Sequence, residues 1–252
     1  MVPLWVLVCH KESQHTENLK QDNWGNAMKN NRGFSLVEIA IAMAIMAMLI
    51  ATVLVGNGLK HKAALQKIMT DFSTIHSAMQ SFQSTYVYLP GDYGSAIAQF
   101  GASTNGDNST RIDTAQEKIA FWQHLQLAGL ISGSYDSSTT KPGVGLLRGP
   151  AALGFTGYEA DDYAANKVKI RFSKFIGTTG GYAVLKPVEV WNLEQTFDNG
   201  KPGASLGDTA NNNMRGEDGT NADGACVTSG AYDLNNESGI ACILWVILNS
   251  DS

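Results

Sequence analysis

Residues 39–55 form an apolar run that contains no charged residue. Together with Phe34, Leu36 and Val37 ahead of it, the run approaches the roughly 20 residues that a helix needs to cross a bilayer. We therefore predict a transmembrane helix over residues 34–56. The alternative is a core helix of a soluble protein, but charge-free runs of this length are rare there. The run predicts a chain that is anchored in a membrane by a single pass.

One carboxylate, Glu38, lies just inside the start of this run. An isolated carboxylate in hydrocarbon costs a few kcal/mol or more, so its presence needs an explanation. Lys29 and Arg32 precede the run, whereas Lys60 and Lys62 follow it. Because basic residues lie on both sides, their distribution does not orient the helix in the membrane.

Residues 1–27 differ in character from the rest of the chain. The apolar opening at residues 1–8 is too short to span a membrane, and no basic region precedes it. Met28 then begins a short basic lead, "KNNRG", into the apolar run. We predict that Met28 is the translation start and that residues 1–27 come from an over-extended reading frame; an unusually long cytoplasmic leader is the alternative. Residues 1–33 are thus expected to be a leader.

An amphipathic pattern follows the run, and it predicts a water-soluble helix over residues 57–88. Apolar residues recur three and four positions apart, which places them on one stripe. A short two-chain coiled coil is the alternative, but the stripe extends for only about three heptads. The residues of the stripe are Leu65, Ile68, Phe72, Ile75, Met79, Phe82 and Tyr86.

The remaining residues, 89–252, are expected to form a globular, loop-rich head. Thr114 and Glu117 form a capping box that predicts a helix, and a second helix follows Pro187 with Val190, Leu193 and Phe197 facing inward. Strands are predicted at residues 167–175, at "YAVL" (182–185) and at residues 240–248, and residues 201–239 are expected to be loop. The predicted fold is α+β: a long N-terminal helix packed on a small antiparallel sheet.

The composition argues against a nucleic-acid partner. The formal net charge is −5, and 26 glycines accompany many Asn, Asp, Ser and Thr residues. Nucleic-acid binding domains usually carry a basic patch. In the head, the basic strand at residues 167–174 is thin evidence for one. We therefore expect no nucleic-acid partner.

Cys226 and Cys242 lie close together near the end of the chain, whereas Cys9 stands alone. No Cys/His cluster has the spacing of a zinc site. We predict a Cys226–Cys242 disulfide, with two unrelated core thiols as the alternative. A disulfide requires an oxidising compartment, which for an anchored chain is the periplasm or the cell exterior.

The sequence offers no catalytic constellation. "GASLG" (203–207) matches the pattern of a nucleophile elbow around Ser205, but it lacks the strand before it and the helix after it. His61, His76 and His124 lack metalloprotease spacing, and His76 and His124 are expected at helix surfaces or boundaries. We predict that the protein is not an enzyme.

Acidic residues in the Gly- and Asn-rich stretch near the end of the chain suggest a structural calcium ion. Calcium takes six to eight oxygen ligands, many of them from such loops. A merely solvated loop is the alternative, because no EF-hand spacing is present. The candidate ligands are Asp198, Asp218 and Asp223.

The segment "RGFSLVEIAIAMAIMAML" resembles the class III signal of type IV pilins and type II secretion pseudopilins. The resemblance is tight over residues 28 to 60 and looser beyond. "YLPGD", "FWQHLQLAGLISGSY" and "TFDNGKP" are similar to features of a pilin-like group with larger heads. They do not match the compact major pseudopilin, whose head is smaller.

The resemblance implies that a prepilin peptidase cleaves between Gly33 and Phe34 and then N-methylates Phe34 with S-adenosylmethionine. It also implies that Glu38 pairs with the N-terminal amine of a neighbouring subunit during assembly. The expected partners are the peptidase, other pilin or pseudopilin subunits and an inner-membrane assembly platform. The expected location is the bacterial inner membrane, with the head in the periplasm or on an extracellular filament.

The sequence thus predicts a prepilin-like structural subunit of a type II secretion pseudopilus or a type IV pilus. The alternative is a membrane-tethered periplasmic module for binding or adhesion, or a minor pilin for DNA uptake. A competence subunit of that kind needs a basic, aromatic surface.

Overall fold

The computed structural model describes residues 35–197, 213–237 and 239–249. The chain divides into two compact units, Met1–Thr52 and Val53–Ser252. The first helix, α1, covers Leu36–Tyr86 without interruption, so the helices expected over residues 34–56 and 57–88 are continuous. Within the described residues, no helix combines the length and the apolar character needed to cross a membrane.

The part of α1 that lies in the second unit buries the predicted stripe. Ile68, Ile75, Met79 and Phe82 are fully buried and Phe72 is nearly so, whereas Leu65 and Tyr86 at the ends of the stripe are half-buried. Burial of each such side chain contributes about 1.5–3 kcal/mol, which fixes α1 against the head. The helical periodicity read from the sequence is therefore confirmed.

Three further α-helices follow in the described part of the chain: α2 (Ala96–Phe100), α3 (Ala115–Leu127) and α4 (Pro187–Phe197), with a 3₁₀ turn at Ala151–Leu153. The predicted capping box is confirmed, because the Thr114 side chain accepts from the Glu117 N–H and the Glu117 side chain accepts from the Thr114 N–H. In α4, Val190 and Leu193 are buried as predicted. Phe197 was expected to face inward, but it is 57% exposed because α4 ends there.

The described strands build one mixed-length antiparallel sheet and a small hairpin. Their order in the six-stranded sheet is β1-β2-β3-β8-β5, with β4 paired to β3, while β6 and β7 pair with each other. The strands are β1 (Leu147–Arg148), β2 (Thr156–Ala164), β3 (Lys167–Ile176), β4 (Thr179–Tyr182), β5 (Met214–Asp218), β6 (Val227–Thr228), β7 (Ala231–Tyr232) and β8 (Cys242–Asn249).

The sheet confirms the α+β class and corrects two expectations about its strands. The strand expected at residues 182–185 is β4, which covers Thr179–Tyr182. β8 is buried on both faces, as its continuous apolar run indicated. The stretch at residues 201–239, expected to be loop, contains β5, β6 and β7. β5 pairs along β8 from Met214↔Val246 to Asp218↔Cys242, so a long-range partner rather than its own pattern holds it in the sheet.

Candidate functional site

The N-terminal segment carries the residues on which the processing and assembly predictions rest. Gly33 and Phe34 lie outside the described residues. Glu38 is described, and it is exposed in the first turn of α1, where its N–H donates to the Ser35 carbonyl at 2.9 Å. A carboxylate in the first turn of a helix is favoured by the helix dipole. The helix dipole therefore stabilises the negative charge of Glu38 at the start of α1, and the carboxylate remains accessible.

The described side chains around Glu38 in the first unit are apolar and exposed on every side of the helix. Leu36 is 87% exposed and Met48 is 71% exposed, and between them Ile39, Met43 and Ile45 are also open. A helix that is apolar all round normally lies in a membrane or inside a protein assembly. This surface is the largest set of exposed apolar side chains among the described residues.

The structure brings Cys226 and Cys242 together in a disulfide, which confirms that prediction. Their Cα atoms are 5.0 Å apart, and both residues are fully buried. Cys242 opens β8 opposite Asp218 of β5, and the Asp218 side chain accepts from the Cys226 N–H at 2.6 Å. The bond therefore holds the segment before β6 against the start of β8.

The predicted calcium ligands are only partly described. Asp218 is occupied by the Cys226 amide, and Asp223 is exposed, with its carbonyl accepting from the Asn236 side chain at 2.7 Å. Asp198 and the elbow residue Ser205 lie outside the described residues. A calcium site at Asp198, Asp218 and Asp223 therefore stays a prediction.

A different acidic cluster, which the sequence reasoning missed, lies between the end of α1 and the start of α3. Asp92, Asp107 and Glu117 place one oxygen each within 4.8 Å of one another, a spacing that suits a hard divalent cation. Glycines at 91 and 106 allow this approach: a Cβ on Gly91 would strike the Glu117 carbonyl, and one on Gly106 would strike the Asp92 backbone.

Hydrogen bonds within the chain already engage the carboxylates of this cluster. Asp92 accepts from the N–H groups of Ser109 at 2.8 Å and Thr110 at 2.9 Å. Burial raises the pKa of Asp92 to about 6, although these backbone donors oppose the rise. The Ser109 hydroxyl and N–H hold the pKa of Asp107 below its usual value. The cluster is thus part of the hydrogen bonding of the loops. The pKa of Asp92 is raised, whereas the pKa of Asp107 is lowered.

His124 holds the two loops of the acidic cluster together. It is fully buried rather than at the helix surface, which corrects the expectation from sequence. Its Nδ1 accepts from the Gly91 N–H at 2.9 Å, and its Nε2 lies 3.1 Å from the Thr104 carbonyl. Burial among Phe82 and Phe100 lowers the pKa of His124 to about 4, so the ring is neutral with its proton on Nε2.

Of the other histidines that the structure describes, His61 lies in a contact between two helices. His61 Nε2 lies 2.5 Å from Glu189 Oε1, a hydrogen bond that ties α1 to the start of α4. In the described residues, the only group of three potential metal ligands is the cluster of Asp92, Asp107 and Glu117. The separation of these three residues along the chain explains why local motifs gave no signal for it.

Comparison with known proteins gives a match that covers the N-terminal segment. Residues 28–54 match the family model described as the prokaryotic N-terminal methylation motif. No curated protein and no solved structure matches the chain. The matched segment includes Gly33, Phe34 and Glu38. The chain carries at residues 28–54 the motif that is the hallmark of type IV pilin and pseudopilin prepilin-like proteins.

Proposed function

We propose that this protein is a prepilin-like structural subunit that is assembled into a type II secretion pseudopilus or a type IV pilus. The observation that carries the proposal is the methylation motif at residues 28–54, whose carriers are structural subunits rather than enzymes. The exposed apolar surface of α1 in the first unit supports it, because such a surface needs lipid or other subunits as neighbours.

Maturation begins with hydrolysis of the Gly33–Phe34 peptide bond by a prepilin peptidase. Water adds across that bond, so Gly33 gains a carboxylate and Phe34 gains an N-terminal amine. The peptidase then transfers one methyl group from S-adenosylmethionine to the Phe34 nitrogen. The apolar segment stays on the mature chain and remains available for anchoring in the inner membrane and for assembly.

Glu38 acquires its partner through this cleavage. Before it, the carboxylate in the first turn of α1 has the helix dipole as its compensation. Afterwards, the new ammonium group on Phe34 of an adjacent subunit pairs with Glu38 at the apolar interface. A charge-assisted hydrogen bond of this kind in a low-dielectric setting orders one subunit relative to the next.

The second unit lies on the oxidising side of the inner membrane in this proposal. The buried Cys226–Cys242 disulfide supports this location, because such bonds form and persist in the periplasm or outside the cell. The assembly platform in the inner membrane and the other subunits are then the partners of the anchored chain.

Mass spectrometry and N-terminal sequencing of the purified full-length protein test the processing step. We expect the mature chain to begin at Phe34 and to carry one extra methyl group. Gly33→Val should leave the leader attached, whereas Gly58→Val, a glycine of α1 with open space around it, should be processed normally. A mature wild-type chain that still contains residues 29–33 would overturn the proposal.

Glu38→Ala tests the assembly step separately. The variant should be inserted and cleaved as the wild type, but its incorporation into filaments should fall sharply, while Ser35→Ala in the same turn should assemble. Quantitative blotting of sheared or cross-linked filaments measures this. Wild-type incorporation of Glu38→Ala would refute the pairing, and the co-purifying subunits would distinguish a pseudopilus from a pilus.

A further inference from the structure

A cleft of about 280 Å³ lies between β2 and α3 in the second unit and extends over the sheet to Arg171 of β3 and Trp245 of β8. The β2 residues Glu159, Ala160 and Asp161 line one side, and Lys118 of α3 lines the other. Thr140, in the loop before β1, also lines the cleft. The proposed filament assembly uses none of these residues.

The strand register determines which backbone groups of β2 face its edge on the β1 side. On the β3 side, the Phe155 carbonyl accepts from the Phe175 N–H at 2.8 Å. On the β1 side, the Thr156 carbonyl accepts from the Gly149 N–H at 3.0 Å. Because these directions alternate with a period of two in an antiparallel strand, the N–H and C=O of Ala160 point away from β3, toward the cleft.

The edge is filled on both sides of Ala160. β1 pairs with β2 at Tyr158 and Gly157 but begins only at Leu147, so it does not reach Ala160. On the other side, the N–H of Asp162 donates to the Asp161 side chain at 2.9 Å. In the part of the chain that the structure describes, no group bonds the N–H or C=O of Ala160 at this edge, and Ala160 is only 3% exposed.

A buried backbone donor and acceptor without a protein partner are costly to leave unsatisfied. A ligand that presents one N–H and one C=O in an extended arrangement satisfies both at once. Extended peptides do this when they add to the free edge of a sheet. Since β1 fills the edge beside Tyr158, an added chain has to end there, which favours the end of a polypeptide over a passing strand.

The charges around the cleft select which end. Asp161 pairs with Lys118 at 2.7 Å and with Lys169 at 3.1 Å, and Arg171 pairs with Glu159. Three cations thus face two carboxylates, which leaves one positive charge in excess. If the ion pair between Lys118 and Asp161 breaks, Asp161 still pairs with Lys169.

The remaining groups keep this arrangement charged. Burial alone would raise the pKa of Asp161, but hydrogen bonds from Lys118 and Lys169 hold it below the usual value for an aspartate. Lys169 and Arg171 lie over the Trp245 ring, with the Lys169 Nζ 4.8 Å from the ring centroid. These two cations are fixed by the ring, so Lys118 is the one that is able to reach a ligand.

We propose that this cleft binds the carboxyl-terminal end of an extended polypeptide from a partner protein. The last peptide groups of that chain exchange hydrogen bonds with the N–H and C=O of Ala160, and its terminal carboxylate pairs with Lys118. The partner is recognised through its backbone and its terminal charge, so several different side chains fit. This proposal does not depend on whether the chain assembles into filaments.

The test measures peptide capture by the full-length protein, solubilised in detergent and immobilised. The probes are a pool of short random-sequence peptides with free carboxyl termini and the same pool with amidated termini. Mass spectrometry of the retained fraction gives the binding ratio. We expect about tenfold more retention of the free-carboxyl pool, which corresponds to one charge-assisted contact worth about 1.4 kcal/mol.

Two variants and one control make the outcome decisive. Lys118→Gln should abolish the preference for free carboxyl termini, while Lys62→Gln, an exposed lysine of α1, should preserve it. Ala160→Pro removes an N–H that the strand pairing does not use, and it should lower retention of both pools. Equal retention of the two pools by the wild type, or equal behaviour of Lys118→Gln and Lys62→Gln, would overturn the proposal.

Discussion

Protonation of His124 should break one of the hydrogen bonds by which its ring links the two loops around the acidic cluster. In the folded protein the neutral ring accepts from the Gly91 N–H and donates to the Thr104 carbonyl. A protonated ring has no acceptor on Nδ1, so the Gly91 bond is lost and a charge is left among the Phe82 and Phe100 rings. Acid should therefore destabilise this region of the second unit.

The size of the effect follows from the pKa of His124. Burial lowers the pKa from 6.5 to about 4 in the folded state, so the unfolded chain binds the proton more readily. The stabilisation is fully present above pH 6.5 and is lost as the pH falls toward 4. At about 1.4 kcal/mol for each pKa unit, the loss amounts to about 3 kcal/mol.

Asp92 acts in the opposite direction and has to be separated from this effect. Its pKa is raised to about 6 by burial, so the folded state favours the protonated carboxyl and gains stability as the pH falls below 6. The variant His124→Asn isolates the histidine, because an amide oxygen still accepts from the Gly91 N–H but does not titrate. The difference between wild type and variant then reports on His124 alone.

Urea unfolding of the full-length protein in detergent, followed by tryptophan fluorescence at pH 7 and pH 4, measures this difference. Trp122 and Trp245 are buried and provide the signal. At pH 7 the wild type should be more stable than His124→Asn by about 1–2 kcal/mol, because the Thr104 bond is lost in the variant. At pH 4 this advantage should have disappeared or reversed. A stability difference that stays constant with pH would refute the reasoning, and His76→Asn provides the comparison for loss of another histidine.

Three further predictions concern contacts that fix the second unit. Val87 has a φ of 73° and is 77% exposed, so Val87→Gly should raise the free energy of unfolding by about 1 kcal/mol, measured by urea unfolding; a loss of stability would contradict the strain. The Tyr158 hydroxyl donates to Asp71 at 2.8 Å, and Tyr158→Phe should cost about 1–2 kcal/mol, whereas an unchanged transition would show that the bond contributes nothing. Replacing Cys226 and Cys242 by Ala should cost about 3 kcal/mol, because the bond closes a loop between residues 16 apart, and thermal unfolding without a shift would argue against that model.

Long periodic elements and local caps were accessible from the sequence alone. The stripe from Ile68 to Phe82 repeats with the helical period over several turns, so one wrong residue does not erase it. The capping box at Thr114 and Glu117 is a contact between residues three apart, and β8 is marked by its continuous apolar run. Each of these signals is local.

Features that depend on distant partners could not be read in this way. β5 is short, contains a glycine and two acidic residues, and exists because β8 pairs with it. His124 is buried because loops from two other parts of the chain cover it. The oxygens of Asp92, Asp107 and Glu117 meet for the same reason, although no spacing in the sequence connects them.

Because the Cys226–Cys242 bond is completely buried, the rate of its reduction can report the rate at which the second unit opens locally. A thiol reagent has to reach a sulfur atom, and in the folded protein neither cysteine has any exposed surface. Reduction therefore has to wait for a molecule in which the segment before β6 has separated from the start of β8. At high thiol concentration the rate of reduction should stop rising and equal the rate of that opening. A simple thiol-trapping time course would then report how often the region opens under native conditions.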